Sequence, residues 1–359
     1  MANAIVLKKL RKTFGETVAV SDLDLEVPEG ALYGVIGPNG AGKTTMIRMI
    51  LSILFPDRGD LTVLGRPSAL EAKDRIGYLP EERGLYKKMR VGEFLVYMAR
   101  LKGLGGAGLQ KQASQWLERV ALGDAEHKRC EDLSKGMQQK VQFVAAVIHH
   151  PDLLILDEPF SGLDPVNQRL MRDLVLDEHR RGATVLFSTH IMVHAEQLCD
   201  RVVMIHRGEK VLDQAMAGIH DTFDPHRILF EPLDPTSDIA TLRAVAGVSA
   251  ATPDGPVWNV SLDKQADAAR VIPALVSAVT PSRVEIRRPT LEDVFVSIVT
   301  GGASAALDDD ARLRAALRDG GQEVRRGGRC SMSRGASSPP PSRPRDSSSA
   351  FSSRRSSWP

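Results

Sequence analysis

Gly37-Pro38-Asn39-Gly40-Ala41-Gly42-Lys43-Thr44-Thr45 decides the fold. The stretch follows an apolar run, Ala31 to Ile36, that reads as a strand, and it opens a helical run from Met46 to Leu54. A glycine-rich turn between a strand and a helix is a phosphate cradle. The glycines let backbone N–H groups close around phosphate oxygens, and the helix N-terminus adds the positive end of its dipole. Lys43 is placed to reach β and γ phosphates, and Thr44 to offer its hydroxyl to Mg²⁺. The stretch is a complete P-loop, and a P-loop requires an α/β sheet domain around it.

Working outward, four more apolar runs read as strands: Ile76 to Leu79, Leu153 to Leu156, Thr184 to Phe187 and Val202 to Ile205. Several are apolar at every residue, the pattern of strands buried on both faces of a parallel sheet. One of them ends in two adjacent acids, Asp157 and Glu158. A buried strand end is an expensive place for charge. Asp157 suits Mg²⁺ held through water, and Glu158 suits a base that polarises the water attacking a γ phosphate. Read alone, the pair could instead cap the next helix.

Between Glu82 and His150 the strand signal gives way to helical periodicity. Phe94, Leu95, Met98 and Leu101 fall on one helical face, and Val141, Val144, Ala145 and Ile148 on another. This predicts a helical subdomain, about residues 82–150, inserted into a sheet domain that spans 1–225. A small α+β unit is expected over 226–301, with strands at Arg227 to Phe230, Val257 to Leu262 and Val284 to Arg287. From Gly327 onward Ser, Pro and Arg dominate, so residues 302–359 are expected to form a disordered tail.

Composition narrows the function. The 359 residues are 42% hydrophobic and 26% charged, the balance of a soluble globular chain. A net charge of +2 gives no basic face for nucleic acid, and no such partner is expected. Cys130, Cys199 and Cys330 lack metal-ligand or disulfide-framework spacing. The start reads as having no signal peptide, and no apolar run approaches the ~18 residues of a membrane-spanning helix.

Leu133-Ser134-Lys135-Gly136-Met137-Gln138-Gln139, just upstream of the acidic strand, resembles the LSGGQ signature of ABC ATPases. Three further stretches match that family in order: Lys12-Thr13-Phe14-Gly15, Ser161-Gly162-Leu163-Asp164-Pro165 and Ser188-Thr189-His190. The resemblance covers about residues 4–300. It implies that Ser134 and Gly136 meet the γ phosphate of ATP bound to a second ATPase subunit, most simply an identical copy. It also implies that Phe14 stacks on adenine, His190 contacts the γ phosphate and Asp164 links the two sites.

Two departures stand out. Pro80-Glu81-Glu82-Arg83-Gly84-Leu85-Tyr86 carries Glu81 where most relatives have Gln. A carboxylate there can approach Mg²⁺ or its water but adds negative charge. Lys135 replaces the first signature glycine, which requires a negative φ at that position. The Pro80 to Tyr86 loop is similar to that of the sodium-extrusion branch, and Arg288-Pro289-Thr290-Leu291-Glu292-Asp293-Val294-Phe295 to the ending of ABC-2 type exporter ATPases, drug-resistance relatives included. Without the family, Leu291, Val294, Phe295 and Ile298 are one apolar helical face.

The resemblance thus implies the ATP-hydrolysing subunit of an exporter, peripheral on the cytoplasmic face of the membrane, working beside an integral membrane permease that docks near residues 83–89. A soluble ABC ATPase acting on ribosomes or DNA is the alternative. It is disfavoured because the chain carries one ATPase unit and no long coiled coil or zinc module.

Overall fold

The computed structural model describes residues 2–300 apart from Arg83, residues 223–226, Lys264 and Arg288. The expected tail, Cys330, and the Arg83 and Arg288 positions of the two motifs above lie outside the described residues.

Strands β1 (Asn3–Phe14) and β2 (Thr17–Pro28) form a hairpin, closed by a two-residue turn in which Gly15 has φ 58°. In β2, Leu23, Leu25 and Val27 are buried while Asp22, Asp24 and Glu26 face solvent, the period-two pattern of a sheet with one wet face. β3 (Leu32–Ile36) is buried at every residue and leads through the P-loop into α1 (Lys43–Ile50). β4 (Arg58–Val63) pairs with β1, completing a three-stranded antiparallel sheet in the order β2-β1-β4.

After β5 (Ile76–Leu79) come three helices, α2 (Val91–Leu101), α3 (Leu109–Arg119) and α4 (Lys135–Val147). β6 (Leu153–Asp157), α5 (Pro165–Arg180), β7 (Thr184–Thr189), α6 (Met192–Leu198), β8 (Arg201–His206), β9 (Glu209–Ala215) and α7 (Met216–Thr222) follow. The second sheet has the order β5-β6-β7-β3-β8-β9, parallel except for β9, which folds back on β8. β3, β6 and β7 are buried throughout, the burial expected of central strands in a sheet covered on both faces.

Beyond α7, β10 (Arg227–Pro232), α8 (Ala240–Arg243), β11 (Val248–Asp254), β12 (Val257–Leu262), α9 (Ala268–Ala278) and β13 (Pro281–Arg287) build a small antiparallel sheet in the order β11-β12-β10-β13. Its own core gathers Ile228, Phe230, Trp258, Val260 and Leu275. The last helix, α10 (Leu291–Val299), begins in a capping box: Thr290 accepts the Asp293 amide, and the Asp293 carboxylate accepts the Thr290 amide.

Most of the apolar runs fall where strands were expected, but β1, β2, β4, β9 and β11 are additional. Leu101 also differs from its expected place on the buried face of α2 and is 55% exposed. It sits at the last position of the helix, and the next residue, Lys102, turns away to donate its Nζ to the carbonyls of Lys73 and Ile76, each at 2.7 Å. Among the described residues no helix is long and apolar enough to cross a membrane.

Candidate functional site

The site forms where β3, β6 and β7 end side by side. In register, Ile36 faces Thr189 and Asp157 faces Ser188, so the P-loop, the acid pair and the Ser188–His190 stretch leave the sheet at one edge. The carboxyl edge of a parallel sheet is where α/β folds place their ligands.

The P-loop is shaped by collisions that only glycine avoids. Gly37 has φ 152°, and a Cβ there would lie 2.1 Å from the Ile205 carbonyl oxygen. Gly42 has φ 106°, and its Cβ would lie 2.2 Å from the carbonyl oxygen of Ala19. The loop is therefore pressed between β2 and the end of β8. Lys43 is buried, and its Nζ donates to the carbonyls of Gly37 at 2.7 Å and Pro38 at 3.0 Å. Burial lowers its pKa, opposed by the carboxylates of Glu158, Asp157 and Glu81, so all three acids face this ammonium.

Asp157 is fully buried. Its Oδ1 accepts from the Ser188 hydroxyl and, at 3.3 Å, from Thr44 Oγ1. Its Oδ2 is also buried and has no hydrogen-bond partner among the described residues. An unpartnered carboxylate oxygen in the interior is costly, by roughly 1–3 kcal/mol, unless something outside the chain binds it. Three acids against one lysine would also repel a phosphate, so an anionic ligand here needs a cation beside it. Thr44 and Asp157 fit Mg²⁺, which takes one or two protein oxygens and fills its other positions with water and phosphate.

Glu158 holds an unusual backbone, φ 50°, a left-handed conformation that costs a side-chain-bearing residue about 1 kcal/mol. It is fixed by its own amide, which donates to the Ser188 carbonyl at 3.2 Å, and by His190. The backbone N–H and ring Nδ1 of His190 lie 2.9 and 2.8 Å from Glu158 Oε1. Glu158 and His190, 32 residues apart, thus form one unit. Ser188 was not singled out from the sequence, yet it holds Asp157 and flanks the Glu158 amide. Its signal is a hydroxyl at the end of an otherwise apolar strand, informative only once β6 and β7 are known to pair.

Two expected site residues, Phe14 and Glu81, are exposed. Phe14 is 49% exposed, with Lys12 Nζ 5.7 Å from its ring centre. Lys12 is tied by a 2.8 Å ion pair to Asp57, whose pKa this contact and the Thr13 hydroxyl and amide pull well down. Glu81 is exposed at the end of β5. Asn39, Gly40, Ala41 and Thr45 complete the loop, with the Gly208 amide donating to the Ala41 carbonyl at 2.9 Å.

Three expected residues, Ser134, Gly136 and Asp164, make no hydrogen bond to the P-loop or the acid pair among the described residues. Ser134 is exposed and caps α4, accepting the Met137 amide at 3.3 Å. Lys135 has no positive φ, the condition for a side chain at that position. Gly136 has room for a Cβ, its nearest neighbour being Leu163 Cδ2 at 3.5 Å. Asp164 caps α5 through the amides of Val166 and Asn167, both at 3.0 Å, and the Asn167 backbone amide and side chain lower its pKa.

A family model described as ABC transporter matches residues 20–161. The Bacillus subtilis protein YhaQ, described as an uncharacterized ABC transporter ATP-binding protein, is 41% identical over 298 residues, covering 82% of this chain and 98% of its own. The ABC transporter ATP-binding protein NatA of the same organism is 40% identical over 208 residues, 57% of this chain and 85% of its own. A solved structure of an ATP-binding subunit of an ABC transporter, 31% identical, superposes with a TM-score of 0.58 over 61% of this chain and 93% of that one.

Proposed function

Since the chain belongs to the ABC transporter ATP-binding proteins, we propose that it hydrolyses ATP through Lys43, Asp157, Glu158 and His190 to drive export by a separate membrane permease. The observation that carries this reading is the meeting, at one sheet edge, of a buried lysine, a buried carboxylate oxygen without a partner, and an acid locked to a histidine.

ATP lies with its phosphates over the P-loop. Lys43 exchanges its bonds to Gly37 and Pro38 for β and γ phosphate oxygens. Thr44 and Asp157 would hold Mg²⁺, with Glu81 as a further candidate, and the ion would supply charge to neutralise the phosphates. Glu158 accepts the proton of the attacking water, and His190 moves from Glu158 toward the γ phosphate. Phe14 stacks on adenine.

Ser134 is exposed and makes no bond to this site, which fits a second copy receiving it with Gly136: the N-terminus of α4 supplies amides to the other copy's γ phosphate. Closure on ATP and opening after hydrolysis is then the mechanical stroke. A permease docks near Tyr86, which is half exposed and packs against Phe94 and Tyr97 at centroid distances of 6.0 and 5.7 Å. The protein then resides at the cytoplasmic face of the membrane, and the permease sets the cargo.

The test is to solubilise native membranes and recover this protein through an N-terminal tag. A polytopic membrane protein in stoichiometric amount is the expected companion. Ribosomes or DNA-repair proteins without one would assign the ATPase to the soluble alternative.

A further inference from the structure

The last described helix seats itself on the ATPase core. Leu291 and Val294 are buried, with Phe295 and Ile298 partly buried beside them, in the cluster that contains Phe187, Ala195, Leu198 and Met204, not among Ile228, Phe230 and Trp258 of the small sheet. Two contacts fix where it lands. At its N-terminus the Leu291 amide, one of the donors a helix cannot satisfy internally, donates to Oε1 of Glu196 on α6. A turn later, the Phe295 ring meets the His206 ring edge to face, centroids 5.5 Å apart.

Each contact leads to one half of the nucleotide site. His206 ends β8; the carbonyl of Ile205 before it abuts Gly37, and the Gly208 amide after it holds the Ala41 carbonyl. Glu196 lies on the short helix that starts directly after His190 and Ile191. On that same helix His194 rests against Phe160, ring centroids 4.7 Å apart, two residues beyond Glu158. α6 is therefore gripped on one side by the exit of the acid strand and on the other by α10. The grip by α10 has a polar anchor, a carboxylate at a helix N-terminus, where the dipole favours it.

We propose that Glu196 is a positioning residue for ATP hydrolysis: by anchoring α10 it holds α6, and through α6 the His190–Glu158 pair, so that the C-terminal unit sets turnover without touching nucleotide. This rests on the roles given above to Glu158 and His190. Removing the anchor leaves the Leu291 amide unpaired and lets α6 drift from Phe160. The loss falls on the chemical step, because the anchor acts through Glu158 and His190, which serve hydrolysis, and not through the P-loop that holds the nucleotide.

The test compares Glu196→Ala with Glu196→Gln, which keeps an acceptor oxygen, in the full chain. The alanine variant is expected to lose about three- to tenfold in kcat, the size of one hydrogen bond, with KM for ATP within about twofold. The glutamine variant is expected to recover most of that loss. In nucleotide-free protein, hydrogen exchange across residues 191–198 should quicken in the alanine variant alone, while residues 153–157 keep their protection. Phe295→Ala should lower kcat in the same way from the other end of the helix.

Unchanged exchange and kcat in Glu196→Ala would overturn the proposal. So would failure of Gln to rescue, or a loss of kcat and KM together with protection lost throughout the chain. A wild-type chain without ATP turnover would sink the reading of Glu158 and His190 instead, and the exchange comparison would still decide whether the anchor holds α6.

Discussion

The P-loop and the N-terminus of α4 are both helix starts rich in glycine and hydroxyls, and they are built in opposite ways. Around the P-loop the chain closes on itself: Gly37 and Gly42 are jammed against backbone, and Lys43 already spends its protons on the loop's own carbonyls. At α4, Ser134 and Lys135 face solvent, and Gly136 has space where a methyl group could sit. Steric necessity inside the fold explains the first set of glycines. It does not explain Gly136, for which the proposed completion of the site by a second copy supplies a reason.

The largest effect should come from Glu158→Gln. It removes the base while keeping a side chain that can accept from His190, and turnover should fall ~100-fold or more. ATP should then hold two copies together, visible as a doubling of mass by light scattering; a strict monomer with ATP bound would break the comparison on the α4 side. Lys43→Ala acts on the P-loop side alone. Loss of a charge-assisted contact should weaken ATP binding roughly 10- to 100-fold by titration calorimetry, and wild-type affinity would remove the P-loop from the site.

The glycines give the sharpest contrast. Gly37→Ala drives a methyl group into the Ile205 carbonyl and should cost about 2 kcal/mol or more of stability. Gly136→Ala should leave the denaturation midpoint unchanged or slightly raised, since alanine is the better helix former. It should nevertheless lower ATP turnover. If the two variants were equally unstable, the distinction between an inward and an outward helix start would be lost.

The smallest effect concerns pH. His149, just past the far end of α4, is buried with Nε2 3.2 Å from the Ile76 carbonyl. Burial first, then the Lys102 ammonium and His150, depress its pKa from 6.5 to about 4, against the Ile76 carbonyl and Asp74. Above pH 6.5 the ring is neutral in both folded and unfolded chain. Between 6.5 and about 4 only the unfolded chain takes the proton, so stability falls as pH falls through that window. Urea melts at pH 7 and 5 should show a smaller drop for His149→Gln than for wild type; equal slopes would mean that this tie carries no proton linkage.

What the sequence revealed follows the same division. The P-loop and the parallel strands were legible because their physics is local: a contiguous cradle, and runs apolar at every residue. β1, β2 and β4 were not, because charged residues such as Asp22, Asp24 and Glu26 on their wet face dilute the apolar signal. β11, with Ser249, Thr252 and Asp254 among small residues, has little apolar signal to find. The roles of Ser188, quoted only as part of the His190 motif, and of Glu196 were hidden for another reason. Their partners, Asp157 and Leu291, lie 31 and 95 residues away, and only strand register and helix docking bring them together.

The return of α10 has a consequence for how such a chain can be rearranged. α7, through Ile219, and α10, through Leu291 and Val294, are seated in the same core cluster on either side of the small sheet. Residues 227–287 are thus spliced into the chain as a cassette rather than hung from its end. Trimming from the C-terminus strips a helix from the ATPase core before it reaches the sheet. An internal exchange keeps both borders in place and can graft one small sheet for another without disturbing the engine beneath.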